Sequence, residues 1–201
     1  MGNTAVIVLA AGASTRLGQP KQLLDFGGKA LLQHILEQCK PLHFSARFLI
    51  LGAYSADIQQ NTNTFDFQIL QNEHWEAGMA SSLHIGIQAA IAHPSAPEQV
   101  LVLLADQPFV STALLQALLD THQSERPPIT ASQYGTTKGV PAIFSKTVFP
   151  ELLQLQGDRG ANRLIRQYEA QVAILPFEAG SIDMDTREDY QQWRDALNPN
   201  Q

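Results

Sequence analysis

An α/β fold on an open sheet, parallel at its centre, is predicted by three features of the chain. Apolar, β-branched runs alternate with segments of helical spacing along almost the whole sequence. The first such run breaks into a glycine-bearing loop, and the most apolar run stops at an acidic residue, Asp106. Strand ends of this kind are where open α/β sheets bind ligands.

The elements follow in order. Residues 5–9 form the first strand, with Val and Ile suited to a strand covered on both faces. Residues 30–39 have helical spacing through Leu31, Leu32, Ile35 and Leu36, and stop before Pro41. A second strand spans 46–51, a short helix 55–60, and a third strand 67–70. Residues 79–92 read as a buried helix carrying Leu83, Ile85, Ile87, Ala90 and Ile91, ending before Pro94. Residues 100–104 are the most apolar strand. Residues 112–122 are helical, with Ser111 or Thr112 as the cap. Strands are expected at 129–133, 140–144 and 172–175, and helices at 147–155, 161–168 and 187–197.

The bulk properties bound the function. A chain of 201 residues suits one domain, here taken as 1–201, with room for a sizeable core. Hydrophobic residues make up 44% and charged residues 16%, a globular balance. The net charge of −6 argues against a nucleic-acid surface, which needs a basic face. One cysteine, Cys39, excludes a disulfide framework and suggests a reducing, cytoplasmic setting. No secretory pattern is expected at the start, and no apolar run approaches the ~20 residues a membrane helix needs.

Chemistry concentrates in five stretches. The loop after Leu9 (Ala10, Ala11, Gly12, Ala13, Ser14) uses small residues, which let backbone N–H groups approach an anion closely. Arg16 and Lys21 follow it and supply charge for phosphates. The alternative is a tight turn with two solvated cations. The loop is neither a Walker A loop, since Lys21 does not follow Gly18 directly, nor the dinucleotide fingerprint, since Ser14 breaks G-x-G. Asp106, before Gln107 and Pro108, puts a hard oxygen donor at a strand end, suited to Mg²⁺, or else caps a turn. Asp183 and Asp185 lie two apart and could face one side, or Thr186 or Asp185 could cap the last helix. Asn72 to Leu83 opens a helix with Gly78, Ser81 and Ser82, a start that can approach a base or ribose and offer free N–H groups. The fifth region comprises Lys138 to Phe144 and Gly157 to Asn162. The six histidines show no metal-ligand spacing.

From Leu9 to Lys21 the residues read L-A-A-G-x-S-x-R-x-G-x-x-K. This pattern resembles the signature of MobA-like nucleotidyltransferases, and within them the molybdenum cofactor cytidylyltransferase branch. Leu17 stands where methionine or phenylalanine is common. The resemblance runs from Leu9 to Asp189. It implies a three-layer α/β/α Rossmann-like nucleotidyltransferase fold with a mostly parallel central sheet. It implies an enzyme that moves a nucleoside monophosphate, CMP from CTP, onto a phosphate-bearing acceptor, molybdopterin, releasing pyrophosphate. Leu9, Ala10, Ala11, Gly12, Ala13, Ser14, Arg16, Lys21, Asn72, Gly78, Ser81 and Ser82 would then bind the nucleotide. Arg16, Lys21 and Asp106 would be catalytic, and Asp106 with Asp185 would hold Mg²⁺. Gly139, Pro141, Asp158, Arg159 and Gly160 would face the acceptor. Asn162 stands where arginine is frequent, and Arg187 replaces the usual proline. The product would pass to a molybdoenzyme or its chaperone, with no nucleic acid or membrane involved. Other readings are a sugar- or polyol-phosphate nucleotidyltransferase and a non-catalytic nucleotide-binding cofactor chaperone. A nicotinamide-dependent oxidoreductase is disfavoured by the missing G-x-G-x-x-G.

Overall fold

A computed structural model describes residues 3–15, 17–158 and 160–181 of the chain. The predicted last helix, Asp183, Asp185, Arg16 and Arg159 lie outside the described residues.

Among the described residues, seven strands form one sheet in the order β3-β2-β1-β4-β6-β5-β7. They are β1 Thr4–Ala10, β2 Ala46–Leu51, β3 Gln68–Gln71, β4 Gln99–Leu104, β5 Ile129–Tyr134, β6 Thr137–Ser145 and β7 Val172–Pro176. Only β6 runs antiparallel to its neighbours; the other pairings are parallel. The helices are α1 Leu31–Cys39, α2 Ser55–Asn61, α3 Met79–Ala92, α4 Thr112–Glu125, α5 Phe149–Leu152 and α6 Asn162–Gln167.

Alternation along β1 separates the two faces. Val6, Val8 and Ala10 join α1, α2 and α4 in one buried cluster, with Leu32, Ile35, Leu36, Ile58 and Leu115. Ala5, Ile7 and Leu9 join α3, α5 and α6 in the other, with Leu83, Ile87, Leu152 and Ile165. The result is a three-layer sandwich of helices around a mostly parallel sheet. Gly86 sets the height of α3 above β1, because a Cβ there would lie 2.6 Å from Cγ2 of Ile7.

The chain lays β2 and β3 on one side of β1, then crosses to lay β4 on the other side. That reversal is a topological switch point, and it opens a crevice beyond the carboxyl ends of β1 and β4. Leu9 is in register with Leu104, and the Ala105 N–H donates to the Leu9 carbonyl at 3.1 Å. The loop after β1 and Asp106 after β4 are therefore neighbours.

Two expectations are corrected. The strand expected at 140–144 begins at Thr137 and forms a hairpin with β5, turning on Gly135 and Thr136. Gly135 has φ 56°, the left-handed backbone that tight hairpin turns favour. Pro141 cannot donate to a ladder, and the register shifts beside it: Ala131 pairs with Ala142, then Ser132 with Gly139. The Ser132 hydroxyl donates to the carbonyl of Pro141 at 2.7 Å, inside the irregularity. The helix expected at 147–155 is only a 3₁₀ turn, Lys146–Val148, followed by α5, with Pro150 in the first turn of α5. Proline is tolerated only there, so it fixes where that helix begins. Among the described residues, no helix is long and apolar enough to cross a membrane.

Candidate active site

The crevice holds a cavity of about 370 Å³, walled by residues 9–15, by Lys21 and Gln22, by Trp75, Glu76, Gly78, Met79 and Ser82, and by Leu104, Ala105, Asp106 and Asp158. The loop at 11–15 is held by specific bonds. The Ala11 carbonyl accepts from the Ala53 N–H at 3.0 Å. Ser14 has φ 51°, and its hydroxyl accepts from the Lys21 N–H at 3.1 Å. A strained serine kept at positive φ is the kind of backbone feature found where a ligand is gripped. A Cβ at Gly12 would meet nothing within 4 Å, so this loop faces open space. Among the described residues, the N–H groups of Gly12, Ala13 and Ser14 donate to no protein acceptor.

Lys21 begins a 3₁₀ turn, Lys21–Leu23, directly after Pro20. Its ammonium reaches across the cavity to Asp106, with Nζ 3.6 Å from Oδ2. The lysine side chain is 13% exposed and the aspartate 37%, so the carboxylate remains open to the cavity. Behind Asp106 the backbone is anchored twice. Gln107 donates through Nε2 to the carbonyl of Val140 at 3.0 Å. His34, on α1, donates through Nε2 to the carbonyl of Pro108 at 3.1 Å. Burial lowers the His34 pKa, so the imidazole is neutral at neutral pH and serves as a tether.

The α3 end differs from expectation. Asn72 is 1% exposed and lies beneath the cavity, where its side-chain N–H groups donate to the hydroxyls of Ser81 (2.8 Å) and Ser82 (2.9 Å). Ser81 donates onward to the Gly78 carbonyl at 2.8 Å. Of these three, only Ser82 lines the cavity. The first amides of α3 are not free either: Ala80 N–H donates to the Gly157 carbonyl at 3.1 Å, and Ser81 N–H to Gly78. Gly78 itself, at φ 99°, lies under the 157–158 backbone; a Cβ there would sit 2.4 Å from the Gly157 carbonyl carbon. The helix start is thus capped by a distant loop, which sequence spacing could not reveal.

A smaller cavity of about 140 Å³ adjoins the first, sharing Leu9, Met79, Leu104 and Asp158. Val140, Gly160, Asn162 and Tyr134 also line it. Gly139 and Pro141 flank Val140 without lining either cavity. Gly139 lies beneath Tyr134, whose hydroxyl a Cβ would meet at 2.3 Å.

Sequence reasoning missed Gln22, Glu76 and Met79 as wall residues. The position of Gln22, directly after Lys21, was the available signal. For metal binding, Asp106 offers hard oxygens into the cavity, and no group of three or more His, Cys, Asp or Glu gathers among the described residues. Hard carboxylate oxygens of this kind suit a divalent cation that completes its shell with water and phosphate oxygens.

Residues 6–172 match the family described as the MobA-like NTP transferase domain. Nicotine blue oxidoreductase of Paenarthrobacter nicotinovorans is 30% identical over 193 residues, covering 90% of this chain and 92% of that protein. The purine catabolism protein PucB of Bacillus subtilis is 28% identical over 206 residues, covering 95% and 96%. Among solved structures, Rv0371c of Mycobacterium tuberculosis superposes with a TM-score of 0.83 at 32% identity, over 95% of this chain and 96% of that one. A manganese complex of the same protein superposes with a TM-score of 0.78 at 30% identity, over 94% and 97%.

Proposed function

The chain belongs to the MobA-like NTP transferase family, and we propose that it transfers CMP from CTP to a phosphate on molybdopterin or its molybdenum-bearing form, releasing pyrophosphate. The observation that carries this reading is the meeting of the 11–15 loop, Lys21 and Asp106 in one cavity at the switch point.

The reaction has one displacement. An acceptor phosphate oxygen attacks the α-phosphorus, a new P–O bond forms, and the bond to the bridging oxygen of the β-phosphate breaks. That nucleophile is already ionised at neutral pH, so no general base is needed. Catalysis is then alignment and charge neutralisation. The amides of Gly12, Ala13 and Ser14 face the phosphates, and Lys21 and Arg16 offset their charge. A divalent ion, Mg²⁺ in this proposal, would be held by Asp106 with Asp185, and supplies further neutralisation when bound. Manganese in a homologous structure supports a divalent requirement. Ser82, Gly78 and Trp75 would flank the nucleoside, with Asn72 and Ser81 holding that wall from behind. Asp158 and Gly160 would face the acceptor from the adjoining cavity, on a wall to which Gly139 and Pro141 give shape, and Arg159 would add charge for the acceptor.

The lone cysteine, Cys39, which excludes a disulfide framework, supports the cytoplasmic setting proposed for the enzyme. A relative carrying the name of an oxidoreductase makes reductase activity the competing outcome to measure. The test is pyrophosphate release with each NTP and Mg²⁺, with molybdopterin, with sugar or polyol phosphates, and with no acceptor. Release requiring CTP and molybdopterin supports the proposal. Release only with sugar or polyol phosphates overturns the acceptor. Nicotinamide oxidation without pyrophosphate release overturns the reaction.

A further inference from the structure

Gln22 is 4% exposed, yet it carries a polar amide into the wall of the cavity. Its Nε2 donates to the Ala10 carbonyl at 2.9 Å and to the Gly12 carbonyl at 3.1 Å. Those two bonds use both side-chain N–H groups and determine the amide's orientation. The opposite end, Oε1, is buried with no partner among the described residues. A leucine of similar size would leave no acceptor stranded, so packing alone does not call for glutamine here.

The two accepted carbonyls matter because a trans peptide unit is planar, with its C=O and N–H pointing in opposite directions. Holding the Ala10 and Gly12 carbonyls toward Gln22 turns the N–H groups of Ala11 and Ala13 to the opposite side. With Ser14 Oγ accepting from the Lys21 N–H, three hydrogen bonds stitch the 21–23 turn to the loop. One short turn therefore carries both the cation and the amide that set the loop's facing.

We propose that Gln22 is a positioning residue of the phosphate loop, fixing which way the Ala10–Ala11 and Gly12–Ala13 peptides face and thereby presenting the Ala13 amide, with that of Ala11, to a triphosphate. This rests on the reading of the cavity as an NTP site.

The test measures CTP affinity by calorimetry, with inorganic tripolyphosphate as a second probe, and thermal stability in parallel. Gln22→Leu should weaken CTP and tripolyphosphate by roughly tenfold or more, in excess of any change in stability. Gln22→Glu adds a readout that packing would not move. An ionised carboxylate has no donor for the two carbonyls, whereas a protonated one regains a single donor. Burial against two carbonyl oxygens raises its pKa, so its affinity relative to wild type should recover about threefold or more from pH 8 to pH 5.5. Lys21, Glu76, Asp106 and Asp158 line the same cavity in both proteins, so the ratio to wild type cancels their contribution. If Gln22→Leu does not fold, the glutamate variant decides alone. Wild-type affinity in Gln22→Leu, or a flat ratio in Gln22→Glu, overturns the assignment to Gln22 alone. A wild-type protein that binds neither CTP nor tripolyphosphate overturns the NTP reading and this inference together.

Discussion

Ser14 and Asn72 show how single side chains shape the cavity from opposite sides. Ser14 sits at φ 51°, and its hydroxyl receives the Lys21 N–H. Ser14→Ala should keep the strained backbone and lose that bond, lowering stability by about 1 kcal/mol in chemical denaturation and weakening NTP binding in the same protein. Asn72 spends both side-chain N–H groups on Ser81 and Ser82. Asn72→Leu would leave the buried Ser82 hydroxyl and the half-buried Ser81 hydroxyl short of a donor, so a loss of roughly 1–3 kcal/mol is expected by the same measurement. The residues that bear charge, Lys21 and Asp106, were visible in the sequence because their types and spacing announce phosphate chemistry. Gln22 was not, because a glutamine's role depends on which carbonyls lie within its reach.

At the scale of elements, two glycines control where α3 stands. Gly86 brings the helix down on Ile7, and Gly78 admits the 157–158 backbone over its first turn. Gly86→Val forces overpacking between helix and sheet, so unfolding free energy should fall by about 1–3 kcal/mol or more. Gly78→Ala meets backbone that has little freedom to yield, and it occupies a left-handed φ of 99°. It should push the 157–160 loop off the α3 end and alter affinity for both substrates, whereas Gly86→Val should act mainly on stability. The bounds of α3 and β2 were fully legible, since apolar spacing and flanking prolines or glycines delimit them. The β5–β6 hairpin was hidden because Thr137 and Lys138 carry no apolar signal, and pairing with β5 decides their conformation.

For the whole molecule, the switch point turns two distant strand ends into one site, while the opposite half of the sheet bears a pH-sensitive joint. His122 on α4 is buried, bonded to the Thr130 hydroxyl on β5 at 2.8 Å and near the Ser145 hydroxyl on β6 at 3.2 Å. Burial lowers its pKa from 6.5 to about 4. The unfolded chain therefore binds a proton that the folded chain refuses between those values. Its stabilising contribution is complete above pH 6.5 and is lost as the pH falls toward 4. Between pH 7 and pH 5 the loss should be roughly 2 kcal/mol. Denaturation at both pH values, compared with His122→Leu, checks this: the variant should show a flatter pH dependence. Strand–helix alternation made the layered sheet readable from sequence. The strand order that builds the cavity was not readable, because it arises from crossovers between segments far apart in the chain.

The measurement closest to the central claim is pyrophosphate release by the wild-type protein beside Lys21→Ala and Asp106→Ala, with circular dichroism confirming that each variant is folded. The nucleotidyl-transfer reading predicts Mg²⁺-dependent release by wild type and a loss of order 10²–10³ in rate for each variant. A folded Asp106→Ala protein releasing pyrophosphate at the wild-type rate would contradict it.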